Sequence, residues 1–154
     1  MYKEIEGNLI TLTKQGDFDV ITHGCNCMCN MGAGIAPQMD KAFGCSMYPL
    51  EHPNTMGDIN KLGQIESKTF LASNGRRVSV VNSYSQYSPS VKLKPLDYEA
   101  LTLCLRKINH TFEGKHIGLP KIGAGLAGGD WDRIKEIIQT ELKDCDVTVV
   151  VYKP

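Results

Sequence analysis

Two glycine-rich segments contain the residue types that bind an anion without charged side chains. One reads Met-Gly-Ala-Gly-Ile-Ala at residues 31–36, and the other reads Gly-Ala-Gly-Leu-Ala-Gly at residues 123–128. Each lies between an apolar run typical of a strand and a periodic segment typical of a helix. Glycine lets the backbone approach a ligand closely, and a helix N-terminus presents unpaired N–H groups with a partial positive charge. We therefore predict two backbone cradles that hold a diphosphate from two sides.

The charge balance is compatible with such a backbone site. The chain has 154 residues, and 17 Lys and Arg residues balance 17 Asp and Glu residues. General nucleic-acid binding normally requires a basic excess, so we expect none. The length is typical of one domain, and we predict a single domain over residues 1–154. No heptad or apolar stripe indicates an oligomer.

Membrane and metal binding are not expected either. No segment approaches the ~20 apolar residues of a membrane span, and residues 1–7 lack the apolar core of a signal peptide. We therefore predict a cytoplasmic protein whose six cysteines are thiols. Cys25, Cys27 and Cys29 alternate, whereas zinc sites use C-x2-C pairs, so we predict packing roles and no metal.

Two common catalytic motifs are not supported. The second glycine segment matches G-x-G-x-x-G, but the dinucleotide fingerprint requires an acidic residue about 20 positions on, where Val-Thr-Val-Val-Val occupies residues 147–151. The chain ends at Pro154, so we expect no second half-domain and no NAD cofactor. His23 and Cys25 alternate along a predicted strand, and we expect their side chains to point to opposite faces, which argues against a cysteine hydrolase.

Alternating strands and helices must position these segments. Predicted strands cover residues 2–10, 19–23, 62–71, 77–81, 116–119 and 147–152, with an Asn-Gly turn between the third and fourth. Predicted helices cover residues 35–43, 98–112 and 131–142, and the last two are capped by Asp97 and Asp130. Residues 45–61 and 83–95 are predicted to be mostly loop. This alternation indicates a three-layer α/β domain with a central sheet.

Three segments together resemble the macro domain, over nearly the whole chain. They are Gly-Asn-Leu at residues 7–9, Thr-His-Gly-Cys-Asn at 22–26 leading to Gly-Ala-Gly-Ile-Ala at 32–36, and Pro-Lys-Ile-Gly-Ala-Gly-Leu at 120–126. The chain is most similar to the branch of terminal ADP-ribose protein glycohydrolase and ADP-ribose-1″-phosphate phosphatases. Small phage and bacterial stand-alone macro proteins also look like this. The resemblance implies a three-layer α/β/α fold with a mixed six-stranded central sheet that binds ADP-ribose at the strand carboxyl ends.

The resemblance also implies roles for individual residues. Asn8 stands where the family has an aspartate that accepts from the adenine amino group, and Leu9 would contact the same base. Asn26 would hold the distal ribose. The residues implied to line the diphosphate are Gly32, Ala33, Gly34 and Ile35 on one side and Gly123, Ala124, Gly125, Leu126 and Ala127 on the other. Tyr152 matches an aromatic residue that packs on adenine; a core or edge residue is the alternative.

Two departures from the family pattern decide which activity we expect. The glycohydrolase uses a lysine and an aspartate, whose positions fall at Gln86 and Ala127, and neither side chain can perform that chemistry. Lys92 and Lys94 are nearby on the polar loop and could substitute for that lysine, but surface lysines of this kind are normally solvated. We therefore do not expect the lysine route.

Hydrolysis of ADP-ribose-1″-phosphate remains the expected activity. Asn26 would orient the distal ribose or the attacking water, and His23 would act as base, since its ordinary pKa lies near ~6.5. The alternative for His23 is a hydrogen-bonded histidine at a strand end, and Asp130 is a further candidate base. Two other functions stay open: a non-catalytic reader of ADP-ribose, and a hydrolase that acts on ADP-ribosyl esters of modified proteins.

Overall fold

Six strands and four α-helices follow one another in the part of the chain that the structure describes. The computed structural model describes residues 1–51, 53–90, 92 and 94–153. The strands are β1 (Tyr2–Gly7), β2 (Val20–Asn26), β3 (Ile65–Leu71), β4 (Arg77–Gln86), β5 (His116–Leu119) and β6 (Asp146–Tyr152). The helices are α1 (Leu9–Lys14), α2 (Ala36–Phe43), α3 (Tyr98–Thr111) and α4 (Trp131–Glu141). Short 3-10 helices occupy Cys45–Met47, Pro49–Glu51, Pro53–Thr55 and Ile59–Lys61.

The strands form one mixed sheet in the order β1-β6-β5-β2-β4-β3. Every neighbouring pair is parallel except β3 with β4, which form the predicted hairpin. The carboxyl ends of five strands therefore meet at one edge, and the loops that follow them are brought together there. The expected α/β fold with a six-stranded mixed central sheet is confirmed.

The sheet is covered on both faces, which explains the continuous apolar runs in its inner strands. One face packs against α3 and α4 through a core that includes Val20 and Leu101. The opposite face packs against α1 and α2 through a core that includes Ile21 and Met39. Among the described residues, no helix is long and apolar enough to cross a membrane.

Two predicted caps fix where the long helices begin. Asp97 Oδ1 accepts from the N–H of Ala100 at 3.0 Å, and Asp130 Oδ1 accepts from the N–H of Asp132 at 3.0 Å. Each cap satisfies a donor that would otherwise have no partner in the first turn, worth about 1 kcal/mol.

Several predicted strand boundaries are wrong: β2 continues to Asn26, and β3 begins at Ile65. The first strand ends at Gly7, not at residue 10, because Asn8 caps α1 by accepting from the N–H of Thr11. β4 continues to Gln86 through residues predicted to be loop. Its polar side chains are buried there, and Ser83 has a partner, since the Ser83 and Thr22 hydroxyls are 2.6 Å apart. Of the predicted loops, His52, Val91 and Leu93 lie outside the described residues.

Replacing Gly118 of β5 by alanine should lower the free energy of unfolding by about 1–3 kcal/mol. A Cβ there would lie 2.8 Å from ring carbons of Phe18, which is buried and has no room to move. Urea unfolding measures the change. The matched control is Gly7→Ala, where the nearest atom would lie at 3.5 Å, an ordinary contact. Equal stability of the two variants would contradict this packing.

Candidate functional site

A cavity of about 720 Å³ lies at the carboxyl edge of the sheet, a volume typical of a small-molecule site. It is lined by the segments that follow β1, β2, β4, β5 and β6. The predicted site residues that line it are Asn8, Leu9, Asn26, Ala33, Gly34, Ile35, Gly123, Ala124, Gly125, Leu126, Ala127 and Tyr152. Gly32 and His23 are not among the lining residues.

The two glycine segments face each other across this cavity. A Cβ on Gly34 would lie 3.8 Å from Cδ1 of Leu126 in the opposite segment. In the described part of the chain, the N–H groups of Ala33, Gly34 and Ile35 donate to no protein acceptor, and neither do those of Leu126 and Ala127. Unpaired amides in two facing loops are the donors that a diphosphate requires.

The two cradles obtain their donors differently. The first opens directly into α2, whose N-terminus has no side-chain cap, so the helix dipole faces the cavity. The second turns back on itself through a bond from Gly129 N–H to Gly123 O at 2.8 Å. Asp130 then caps α4, so the second cradle depends on loop amides rather than on the helix end that we predicted.

Asn26 holds the loop that leads to the first cradle. Its Nδ2 donates to the carbonyl of Asn30 at 2.8 Å, and its Oδ1 accepts from the N–H of the same residue at 3.1 Å. Asn30 Oδ1 in turn accepts from Gly32 N–H at 2.8 Å, and Gly32 is exposed. Asn26 therefore lines the cavity and also fixes its backbone.

A register shift brings Asn26 beside Gln86. Cys25 pairs with Tyr84, but Asn26 pairs with Gln86, so Ser85 is left without an opposite residue. Such irregularities commonly re-aim side chains next to a functional site. Asn26 and Gln86 consequently line the same end of the cavity.

Asn8 and Tyr152 lie at the other end. Tyr152 closes β6 next to Gly7 and is 63% exposed at the cavity rim, which excludes the alternative of a core residue. The side-chain carbonyl of Asn8, which we expected to accept from adenine, already accepts from Thr11 N–H at 3.1 Å. Its amide group is the part of the side chain for which the structure shows no partner.

His23 is placed where it cannot act as the expected base. It is completely buried, its Nε2 donates to Asn82 Oδ1 at 2.8 Å, and it lies outside the cavity lining. Burial lowers the pKa of His23 to about 4, so the ring is neutral at pH 7. The structure supports the alternative, a hydrogen-bonded strand histidine.

The expectation that His23 and Cys25 point to opposite faces is wrong, because residues two apart on a strand share a face. Cys25 Sγ lies 3.6 Å from His23 Nε2. A cysteine hydrolase is nevertheless not supported, since burial raises the pKa of the Cys25 thiol far above neutrality and keeps it protonated.

Among the described residues that line the cavity, Lys121 has a basic side chain and Glu51 has an acidic one. Lys121 Nζ lies 5.3 Å from the centre of the Trp131 ring. Sequence reasoning missed Glu51, because it lies in a segment of short 3-10 turns and belongs to no motif.

Within the described residues, no three His, Cys, Asp or Glu side chains are placed to hold a metal ion. All six cysteines are free thiols.

Comparisons with known proteins agree with this geometry. No protein-family model matches the chain. The chain is 32% identical to an uncharacterized 17.5 kDa protein of Enterobacteria phage T4, over 99% of this chain and 97% of that protein. It is 26% identical to the bovine protein named ADP-ribose glycohydrolase OARD1, over 97% and 95% of the two chains.

Solved structures share the fold. The macrodomain of Thermus aquaticus DarG superposes with a TM-score of 0.70 at 24% identity, over 100% of this chain and 99% of that one. Thermosipho africanus DarTG, solved in complex with ADP-ribose, matches with a TM-score of 0.72 at 16% identity, over 99% of this chain and 41% of that one.

The buried His23 should make stability depend on pH. Its folded pKa of about 4 is below its ordinary 6.5, so the unfolded chain binds the proton more readily and acid favours unfolding. Between pH 7.5 and pH 5 this group should cost about 2 kcal/mol of unfolding free energy. His23→Gln should lose less stability than wild type over that range in urea unfolding. His110→Gln, which changes an exposed histidine, serves as control, and parallel losses in all three proteins would disprove the assignment.

Proposed function

Since the chain belongs to the same family as the 17.5 kDa phage T4 protein and has the macrodomain fold, we propose that it binds ADP-ribose in the cavity at the carboxyl edge of the sheet. The observation that carries this proposal is the pair of facing glycine segments with unpaired amides. Recognition of a diphosphate by main-chain N–H groups is compatible with the net charge of zero.

The two ends of the cavity suggest how the ligand lies. Leu9, Asn8 and the exposed Tyr152 ring form an apolar and polar rim suited to adenine. Asn26 and Gln86 lie at the opposite end, where the distal ribose would reach. The diphosphate would then lie between the two glycine segments.

The reaction that we propose is hydrolysis of ADP-ribose-1″-phosphate to ADP-ribose and phosphate. Gln86 and Ala127 occupy the positions of the lysine and aspartate expected of the glycohydrolase branch, and both line the cavity. With the Cys25 thiol protonated and no lysine at position 86, water is the nucleophile. The cradle amides would stabilise the charge that develops on the terminal phosphate.

The name of the OARD1 relatives favours a second candidate, hydrolysis of an ADP-ribosyl ester on a modified protein. A panel of substrates separates the candidates. The phosphatase should release inorganic phosphate from ADP-ribose-1″-phosphate, the ester hydrolase should release ADP-ribose from modified protein, and a reader should bind ADP-ribose by calorimetry without releasing either product. Absence of phosphate release would reject the phosphatase.

Gly125→Val should weaken ADP-ribose binding at least about tenfold, a loss of about 1.4 kcal/mol. A Cβ on Gly125 would meet no protein atom within 4 Å, so the branched side chain would occupy ligand space rather than disturb the fold. Calorimetry measures the affinity. Gly75→Ala is the control, because it adds backbone strain at φ 84° in a turn that does not line the cavity. Unchanged binding by Gly125→Val would place the ligand elsewhere.

A further inference from the structure

Glu51 is a buried residue in the cavity wall, and the proposed recognition of ADP-ribose does not involve its carboxyl group. It ends the 3-10 helix Pro49–Glu51, lines the cavity, and is 4% exposed. Among the described residues, neither carboxyl oxygen has a partner within hydrogen-bond distance, although Cys29 and Tyr84 lie close enough to lower the pKa of Glu51. Leaving such a group unpaired costs stability, and groups of this kind concentrate at functional sites.

Glu51 lies at the end of the cavity formed by β2 and β4. The titratable and charged groups that face it come from these strands and from the segments around them: Cys25, Cys27, Cys29, Asp40, Cys45, Lys61 and Tyr84. Asn8 and Tyr152 follow β1 and β6, and β5 separates β6 from β2 in the sheet. With strands about 4.8 Å apart, the two ends are roughly 10–20 Å from each other.

The surroundings of Glu51 favour its neutral form. Burial is the largest influence and raises the pKa of the carboxyl group, Asp40 acts in the same direction, and the side chains of Cys29 and Tyr84 lower the pKa. Lys61 opposes the shift, but its Nζ donates to Cys29 Sγ at 2.7 Å and lies 5.3 Å from the centre of the Tyr84 ring. Lys61 Nζ therefore has its own partners, and the pKa of Glu51 stays above its ordinary value.

We propose that Glu51 is the general acid of this site and protonates the 1″-oxygen of the ribose as the bond from that oxygen to phosphorus breaks. The proposal rests on the proposed phosphatase function. It follows from the position of Glu51 in the cavity wall, at the end where the distal ribose is proposed to lie, from its burial, and from carboxyl oxygens that have no partner within hydrogen-bond distance among the described residues.

Atoms and charge are conserved in the proposed step. Water forms a bond to phosphorus, the electron pair of the breaking P–O bond moves to the 1″-oxygen, and that oxygen takes the proton of Glu51. The products are ADP-ribose, dihydrogen phosphate and the Glu51 carboxylate. The phosphate then returns one proton to Glu51 and leaves as hydrogen phosphate.

Electrostatics supports an acid rather than a base at this position. An ionised carboxylate beside a dianionic terminal phosphate would repel the substrate in a site with little water. A neutral carboxyl group avoids that repulsion and can donate a hydrogen bond. Proton transfer from Glu51 becomes favourable only when negative charge has moved onto the leaving oxygen.

The test is Glu51→Gln, which keeps the size of the side chain and its ability to donate a hydrogen bond but cannot transfer a proton. The kcat for phosphate release should fall at least about 100-fold, while the calorimetric Kd for ADP-ribose stays within about threefold. Wild-type kcat should decrease as pH rises through the Glu51 pKa, and the variant should lack that decrease. The matched control, Glu113→Gln, changes an exposed glutamate away from the cavity and should behave as wild type.

A second readout does not depend on turnover. Difference infrared spectroscopy of wild type against Glu51→Gln should show a protonated carboxyl band at pH 7 that the variant lacks. Absence of that band, or wild-type kcat in the variant, overturns the acid role of Glu51 even where the phosphatase stands. If wild type binds ADP-ribose but releases no phosphate, the phosphatase and the acid role fail together.

Discussion

Unpaired main-chain N–H groups at one edge of a parallel sheet are the feature on which the rest of this molecule depends. A parallel sheet delivers the loops after β1, β2, β4, β5 and β6 to the same edge. Two of these loops contain glycines that adopt left-handed backbone angles, with φ of 64° at Gly34 and 76° at Gly123. A side chain at either position would be strained, and at Gly123 it would also collide with Leu96. The cradles therefore depend on local sequence, and their placement depends on the sheet.

Behind the cradles, the ends of β2 and β4 contain an unusual number of buried polar side chains. The hydroxyls of Thr22 and Ser83 bond to each other, and Asn82 accepts from His23 and donates to the carbonyl of Cys45 at 3.2 Å. These bonds remove most of the cost of burying polar groups and give the strands a defined arrangement. Because Asn26 lies at the end of β2, a rigid strand end there also fixes the loop that Asn26 holds.

Much of the fold followed from sequence because its signals are local. The caps Asp97 and Asp130, the hairpin turn and the glycine segments each act within a few residues, and each is found where predicted. The far end of β4 was missed because tertiary hydrogen bonds bury serines that resemble loop residues. The burial of His23 and the position of Glu51 depend on packing between distant segments, so no local pattern could show them. Asn8 is an intermediate case. Asparagine commonly caps helices, but the strand predicted over residues 2–10 included Asn8 and left no helix start there.

Recognition by backbone and chemistry by side chains are separable in this architecture. Gln86 and Ala127 line the cavity, and Ala127 contributes only its main-chain N–H to the second cradle, so a change of side chain at these positions alters the available chemistry and leaves the unpaired amides in place. A fold of this kind can therefore change the side chains of its cavity without changing its backbone cradles. Whether such a site then reacts depends on the groups that remain at the ribose end, and a buried carboxyl group without a partner is chemically different from the solvated carboxylates elsewhere on the surface. Under the proposed function, a few buried atoms near β2 and β4 would determine the reaction, while the glycine loops would determine recognition.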